Sequence, residues 1–352
     1  IKTANNAYGI TSFADISNDS SVTNSGTIKT NATRALVAVT KDSLGTSTNV
    51  WSHGIMAWGD NSGVGLNNSS IENSNLIDAN ASLDVTINAN QYGAFDTTAR
   101  ARGIIIGADW DTYSVNGTDA DNLATITNSG TINATATLDA HFGEDGLELY
   151  GTHYERTFSA KANGIEAGDL SFAKIENSFG GTITSLAEVT VDPNGSVYYY
   201  GGRFAESSGI VVGDMTNHSE IYNIGAIDST AIFTGSDGAR ARSFGINVNG
   251  VVSDSTVASF GTLTLSAQAT ADGRTDAIAK GIFINDSVSQ SIIGNAGLME
   301  VEATANTSAN IMGNNAWAEA DGIFFYDPVS DTMIVNAQEG DTEAKIKVTA
   351  AA

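Results

Sequence analysis

The chain has 352 residues, and its 16 Lys and Arg stand against 40 Asp and Glu, so the formal net charge is −24. Nucleic-acid binding needs a basic surface that displaces counterions from phosphate, so this charge argues against that class of partner. The absence of Cys excludes disulfides, thiolate zinc sites and a Cys nucleophile. No stretch approaches the roughly 20 apolar residues of a membrane span. Because the first residue is Ile, we expect a processed or excised part of a longer precursor.

A Gly-Ile pair recurs along the chain and is usually preceded by small residues at alternate positions, as in Ala99-x-Ala101-x-Gly103. Alternation with period two predicts a β-strand with one face directed inward. The glycines of these pairs are Gly9, Gly54, Gly103, Gly164, Gly209, Gly245, Gly281 and Gly322. We call these eight residues the Gly column. Their regular recurrence is typical of a repeat protein.

An Asp follows most of these strands at a nearly fixed distance from the glycine. These residues are Asp60, Asp109, Asp169, Asp214, Asp286 and Asp327. Stacked repeats would align the carboxylates, and rows of oxygen ligands can bind Ca²⁺, so the row is a candidate calcium site. The calcium-binding Gly-Gly-x-Gly-x-Asp repeat is absent, however, and each carboxylate can instead cap its own turn by accepting backbone N–H bonds.

The next element of each repeat has the form [IV]-x-N-x-G-x-[IL], as in Val22-Thr-Asn24-Ser-Gly26-Thr-Ile28. Stacked Asn side chains can form hydrogen bonds along a solenoid, so we expect this position to be a structural ladder. Its members are Asn24, Asn73, Asn128, Asn177, Asn223, Ser259, Asn295 and Asn336. We call this row the Asn ladder. The spacing between its members varies from 36 to 55 residues, so the repeats differ in length.

A third element alternates in the same way, as in Ile132-x-Ala134-x-Ala136-x-Leu138. Three strands a repeat, each with inward Ile, Val, Leu or Ala, predict a parallel β-solenoid of about eight repeats with loop or hairpin insertions, in one domain over residues 1–352. Turn sequences such as Asp272-Gly273 leave antiparallel hairpins open as a local alternative. The pattern does not determine how many coils each repeat contains.

The longest insertions all fall between the third element and the next Gly-Ile strand, which places them on one side of a stacked array. They carry most of the candidate ligand-binding aromatics, which are Tyr92, Tyr150, Tyr154, Tyr198, Tyr199 and Tyr200, with Phe95 and Phe142 nearby. Such rings could stack on sugars or on a protein partner. They could equally cover an exposed corner of the solenoid.

Over half of the basic residues lie in or just before the Gly-Ile strands. Where they alternate with inward Ala, as in Arg240-Ala-Arg242, they point outward. This basic stripe is expected to form solvated cross-strand ion pairs, with a complementary partner surface as the alternative. Its members are Arg100, Arg102, Arg156, Lys161, Arg203, Arg240, Arg242, Arg274 and Lys280.

Catalytic motifs are scarce. The four His have no HExxH spacing, and neither a Gly-x-Ser-x-Gly nor a phosphate-binding Gly-x-x-x-x-Gly-Lys-[Ser/Thr] sequence occurs. The strongest candidate is an acidic loop with His141 and His153 nearby, since glycoside hydrolysis uses paired carboxylates. Its acids are Glu144, Asp145 and Glu148. We therefore expect no enzyme, and keep a polysaccharide lyase or hydrolase as the alternative.

The repeated Ile-x-Asn-Ser-Gly-Thr-Ile and Ala-x-Ala-x-Gly-Ile segments resemble the passenger regions of bacterial autotransporters and related β-helical surface adhesins. The resemblance implies secretion from a Gram-negative cell and an extracellular or cell-surface location. Host or cell-surface glycans and proteins would then be the partners. The chain also opens inside a Gly-Ile strand and closes in a third element, so copies could stack head to tail into a filament or biofilm matrix fibre. The alternative is that the chain is a segment of a longer passenger whose capping elements lie outside it.

Overall fold

The computed structural model describes residues 2–38, 46–59, 63–87, 95–107, 112–142, 156–191, 203–235, 238–307, 315–337 and 344–352. These residues form 32 β-strands and no helix. The strands pair in four parallel sheets of eight strands each. This confirms the parallel β-solenoid of about eight repeats, with one four-stranded turn, or rung, for each repeat.

The first four rungs contain the longest strands. In chain order they are β1 (Lys2–Ser12), β2 (Ile16–Ser17), β3 (Ser21–Asn24), β4 (Ile28–Ala38), β5 (Thr46–Ala57), β6 (Val64–Asn67), β7 (Ser70–Asn73), β8 (Leu76–Ile87), β9 (Phe95–Ile106), β10 (Ser114–Asn116), β11 (Ala124–Asn128), β12 (Thr131–Phe142), β13 (Arg156–Glu166), β14 (Leu170–Ser171), β15 (Ala173–Asn177) and β16 (Thr182–Val191).

The last four rungs repeat the same order with shorter strands. They contain β17 (Arg203–Val212), β18 (Met215–Thr216), β19 (Glu220–Asn223), β20 (Ala226–Gly235), β21 (Ala239–Val248), β22 (Val252–Ser253), β23 (Thr256–Ser259), β24 (Thr262–Ala271), β25 (Thr275–Ile284), β26 (Val288–Ser289), β27 (Ile292–Asn295), β28 (Leu298–Thr307), β29 (Ala316–Phe325), β30 (Val329–Ser330), β31 (Met333–Asn336) and β32 (Lys345–Ala351).

Each sheet takes one strand from every rung. Sheet A begins with β1 and ends with β29, sheet B runs from β2 to β30, sheet C from β3 to β31, and sheet D from β4 to β32. The Gly-Ile strands therefore form sheet A, and the third elements form sheet D. The Asn motif ends each strand of sheet C and leads into sheet D. Sheet B was not anticipated, because its strands of two to four residues are too short to show alternation.

The core is a set of rows in which one side chain of each rung lies on its counterpart in the next. Ile71, Ile126 and Ile175 occupy one such row in sheet C, and all three are fully buried. One rung alone exposes these side chains, so their burial depends on stacking, as in other solenoids. This is why a sequence of short, weakly hydrophobic strands can still enclose a continuous core.

The Gly column lies where sheet A approaches sheet D most closely. A Cβ added to Gly164 would lie 2.1 Å from Cγ2 of Ile183 and 2.6 Å from the carbonyl oxygen of Gly209. The same two contacts would form in every rung from Gly54 to Gly209. The atoms nearest to an added Cβ are always an Ile methyl group and the carbonyl oxygen of the next glycine. Glycine is required here because no side chain fits between the two sheets.

The corner between sheets B and C uses a left-handed backbone conformation in most rungs. The residues with positive φ there include Asn18, Asn68, Phe172, Asn217, Asp254, Gln290 and Asp331. Asn and Asp tolerate this conformation better than most residues because their side chains form local hydrogen bonds. Phe172, at φ 49°, gains no such bond, so this corner carries backbone strain in the fourth rung.

The turn at Asp272-Gly273 is a solenoid corner rather than a hairpin. The strands on either side of it, β24 and β25, belong to sheets D and A and pair with strands of other rungs. The antiparallel alternative is therefore wrong at this position. Within the described ranges, no helix is long and apolar enough to cross a membrane.

Candidate functional site

The Asn ladder is a directional chain of side-chain hydrogen bonds. Asn24 donates from Nδ2 to Oδ1 of Asn73 at 2.7 Å, and Asn73 donates in the same way to Asn128 at 2.7 Å. The chain continues through Asn177 and Asn223 with distances of 2.8 Å. Every bond points toward the next rung, because each Nδ2 donates forward and each Oδ1 accepts from behind. The ladder therefore has an acceptor end and a donor end.

The ladder is interrupted at Ser259. Asn223 donates to Oγ of Ser259 at 3.1 Å, but the serine is too short to pass the chain on. Among the described residues, Oδ1 of Asn295 is buried and has no hydrogen-bond partner. The ladder resumes only beyond it, where Asn295 donates to Asn336 at 3.0 Å. One buried acceptor is thus left unsatisfied between the sixth and seventh rungs.

Among the described residues, three members of the Asp row accept hydrogen bonds from backbone amides. Oδ1 of Asp169 accepts a bond from the amide of Asp214 at 2.9 Å, and Oδ1 of Asp214 accepts one from Val251 at 2.8 Å. Each carboxylate therefore caps the corner of the next rung. Oδ1 of Asp286 accepts from Ser287 at 2.6 Å. Asp60 and Asp109 lie outside the described residues, and calcium binding stays a prediction.

No group of three or more His, Asp or Glu that could hold a metal ion occurs within the described part of the chain. The three carboxylates with amide partners each commit one oxygen to the backbone. Ca²⁺ takes six to eight oxygen ligands, so a site at this row would need further ligands besides those oxygens.

An ion pair on the side of sheet A that faces away from the solenoid core is almost completely buried. Nε of Arg102 donates to Oε2 of Glu166 at 2.6 Å, and Nη2 lies 3.3 Å from Oε1, so the contact is bidentate. Asn163 donates to the same Oε2 at 2.5 Å. Arg102 and Glu166 are only 3% and 6% exposed. Arg102 therefore departs from the solvated stripe that the sequence suggested.

The ionisation of Glu166 is set by these neighbours. Burial alone would raise the pKa of its carboxyl group, but the charges of Arg102 and Lys161 and the hydrogen bonds from Arg102 and Asn163 outweigh burial. The pKa of Glu166 is therefore far below its ordinary value, and the carboxylate stays ionised. A bidentate guanidinium contact of this kind is a strong, geometrically specific interaction.

A second cluster surrounds Lys280 near the end of sheet A. Its Nζ lies 2.5 Å from Oε1 of Glu319 and 3.4 Å from Oδ2 of Asp321. It also lies 3.2 Å from the ring centroid of Phe324, a cation–π contact. Burial and the neighbouring Glu319 raise the pKa of Asp321 against the opposing charge of Lys280. Lys280 is only 6% exposed, so it too departs from the predicted solvated stripe.

Other members of the basic stripe form ion pairs that stay in contact with solvent. Arg240 and Arg274 both contact Asp276, at 3.3 and 3.1 Å, and Lys161 lies 3.0 Å from Glu206. The side chains of Arg156 and Arg203 fall outside what the structure describes. The side chain of Asp276 is only 9% exposed, so it is the two arginines that bring these pairs into contact with solvent.

A network of buried serines links sheets A and D inside the solenoid. Oγ of Ser207 donates to the carbonyl of Ser185 at 2.8 Å, and Oγ of Ser229 donates to Oγ of Ser207 at 2.9 Å. Ser243 donates to the carbonyl of Ser229 at 2.7 Å. Sequence reasoning missed this network, because each serine alone reads as a small residue in an alternating strand.

The candidate binding loops lie largely outside the described residues. This holds for the six candidate tyrosines from Tyr92 to Tyr200, for the acids of the loop from Glu144 to Glu148, and for His153. Of the other histidines, His141 lies 3.9 Å from Asp84 and His218 lies 3.3 Å from Asp254. His53 is buried and stacks on Tyr8 at 5.5 Å. No function follows from these three contacts.

The two ends of the solenoid expose apolar rows that are buried elsewhere. Ile334 is 52% exposed and Val348 is 44% exposed, whereas their counterparts one rung earlier, Ile293 and Val301, are at most 2% exposed. At the opposite end, Ile10 is 37% exposed. We call these surfaces the end faces. Each also presents the unpaired edges of four strands, which can recruit further strands.

Comparison with known proteins gave no match: no protein-family model, no curated protein and no solved structure is significantly similar to the chain.

Proposed function

We propose that the chain is a non-enzymatic extracellular structural and adhesive β-solenoid, displayed on or released from a bacterial surface, whose copies join head to tail into a filament or matrix fibre. The observation that carries this proposal is the pair of end faces, where rows that are buried in the interior are exposed. The resemblance of the repeats to autotransporter passengers supports the extracellular location.

The adhesive part of the proposal is supported by aromatic side chains on the outer surface of sheet A. Phe283 and Phe324 are half-buried and lie 5.8 Å apart, and Phe283 stacks on the buried Phe244 at 5.4 Å. Trp317 is 58% exposed in the same sheet. Aromatic rings supply contact area at low entropic cost, which suits host or cell-surface glycans and proteins as partners. Binding to a glycan array, compared between the unmodified chain and Trp317→Ala, tests this part.

Electron microscopy of the negatively stained 352-residue chain tests the structural part. Eight rungs at about 4.8 Å each give a rod of about 4 nm, so fibres far longer than this would require joined copies. Ile334→Lys should shorten or abolish such fibres, because it places a charge on an end face. Phe179→Lys is the matched control, since Phe179 is 89% exposed in the corner between β15 and β16. Rods of only about 4 nm under all conditions would contradict the polymer.

A further inference from the structure

The end faces of the solenoid carry the same rows of residues in the same order. The row of Ile71 begins with Val22 in the first rung and ends with Ile334 in the last. The row of Ile77 likewise begins with Ile28 and ends with Ile346. A ninth rung that continued every row would therefore resemble the first rung. This correspondence deepens the proposed head-to-tail function and rests on it.

We propose that the first rung of a second copy stacks in parallel register on the last rung, so that Asn336 of one copy donates a hydrogen bond to Asn24 of the next. In this register Gly322 lies beside Gly9, Ile334 beside Val22 and Ile346 beside Ile28. All four sheets then continue across the joint without a change in strand order. The partner is a second copy of this chain.

The direction of the Asn ladder selects this orientation. Every ladder bond within the chain runs from an Nδ2 to an acceptor in the following rung, which is Oδ1 of an Asn except at Ser259. Asn336 receives such a bond from Asn295, which directs its own Nδ2 toward the open end. Oδ1 of Asn24 accepts only a 3.2 Å bond from the nearby amide of Gly26 among the described contacts. Nδ2 at one end therefore faces the Oδ1 acceptor at the other end. Two last rungs placed together would instead bring one donor against another.

The apolar rows favour the same joint. Ile334 and Val348 are about half exposed on the last rung, and the joint would bury them against Val22 and Thr30. Burial of apolar surface is the main driving force of association. The unpaired strand edges would form backbone hydrogen bonds, which satisfies groups that are otherwise open to further strands.

One contact opposes the joint. Lys347 on the last rung would lie opposite Lys29 on the first, since the row of Asp78 begins with Lys29 and ends with Lys347. Like charges directly opposite each other on neighbouring strands are destabilising. Lys347 also lies 3.5 Å from Glu300, which partly offsets its charge. The repulsion is exposed and therefore screened by salt.

Cross-linking of single-cysteine variants tests the register directly, because the natural chain has no Cys. Asn31 and Thr349 are both exposed and occupy the same row of sheet D. The proposed joint places them on adjacent strands, about 4.8 Å apart. Asn31→Cys and Thr349→Cys are mixed and treated with a short bismaleimide. The control mixture pairs Thr349→Cys with Thr23→Cys, which is also exposed on the first rung but lies in sheet C.

The expected result is a covalent dimer that forms at least tenfold faster in the mixture of the 31 and 349 variants than in the control or in either variant alone. Equal rates in both mixtures would overturn the register. If microscopy shows fibres and the 31–349 dimer does not form, this register is wrong while the polymer stands. If neither fibres nor the dimer form at high salt, both proposals fail together.

Discussion

Ser259 leaves one rung of the Asn ladder incomplete, and the missing bond is a residue-scale property that can be restored. In Ser259→Asn, Oδ1 should accept from Asn223 and Nδ2 should donate to the unsatisfied Oδ1 of Asn295. A buried hydrogen bond contributes about 1 kcal/mol net, so we expect the free energy of unfolding to rise by about that amount. Denaturant unfolding measures the change.

The reciprocal variant, Asn128→Ser, serves as the control. It leaves Oδ1 of Asn177 without its donor, as Oδ1 of Asn295 is now, and should cost about 1–3 kcal/mol. If the free energy of unfolding falls in Ser259→Asn, or does not fall in Asn128→Ser, the hydrogen bonds of the Asn ladder contribute nothing to folding.

The contact between Arg102 and Glu166 makes a second prediction for single residues. Glu166→Gln leaves the buried guanidinium without its counter-charge, and breaking a buried pair in this way costs about 3–5 kcal/mol. Glu302→Gln removes a carboxylate that is exposed on the outer side of β28 and should change stability by less than about 0.5 kcal/mol. Thermal unfolding of the two variants checks both values.

The same contact predicts how stability depends on pH. The pKa of Glu166 is lowered in the folded protein from its ordinary value of 4.5, so the unfolded chain takes up this proton first as the pH falls. The contribution of the pair is complete above about pH 5 and is lost progressively below it. The free energy of unfolding should therefore fall less steeply from pH 5 to pH 3 in Glu166→Gln than in the natural chain. Parallel slopes would contradict this assignment.

At the scale of the elements, the Gly column predicts a sharp difference between glycines. In Gly164→Ala the new Cβ would contact Ile183 and the carbonyl of Gly209, and one of these is backbone that cannot move away. We expect a loss of about 3 kcal/mol. Gly26→Ala is the matched control, because a Cβ at Gly26 meets no atom within 4 Å. Chemical denaturation of both variants would show whether close approach, rather than glycine itself, sets the cost.

The sequence was sufficient for the elements that alternate over several residues. Sheets A, C and D follow from rows of Ile, Val and Ala, and the parallel stacking follows from their recurrence. It was not sufficient for sheet B, whose strands such as β14 contain two residues. Nor could it place Glu166 beside Arg102, since 64 residues separate them and only the register of sheet A brings them together. Alternation correctly predicted that the side chain of Arg102 points outward from sheet A. The direction of a side chain does not determine whether it is buried, however.

At the scale of the whole molecule, the net charge of −24 and the paired lysines at the joint predict that assembly depends on salt. The Debye length falls from about 30 Å at 0.01 M to about 3 Å at 1 M, so repulsion between copies should weaken strongly. Sedimentation velocity should show single copies at low salt and longer species at high salt. Dissociation on adding salt would contradict this expectation.

Lys29→Gln separates the local repulsion from the overall charge. This substitution removes one of the two lysines that face each other at the joint, which should favour assembly. It also makes the chain more acidic, which should oppose assembly. If the variant assembles at a lower salt concentration than the natural chain, the local repulsion is the stronger influence. Arg274→Gln changes the net charge equally, and its side chain is 71% exposed outside the end faces. This control should shift the salt dependence in the opposite direction, if at all.

The interruption at Ser259 also divides the Asn ladder of the rod into two series of unequal length. Asn side chains join the first five rungs in one unbroken series and reach Ser259 in the sixth, and Asn295 starts a short series of two. No bond of the Asn ladder crosses the plane between the sixth and seventh rungs, so backbone pairing of the strands and packing of the other rows hold these two rungs together. In a polymer of this chain that plane would recur once in each copy, between the sixth and seventh rungs, at intervals of about 4 nm. The fibre would then carry a gap in its Asn ladder at this same interval along its whole length.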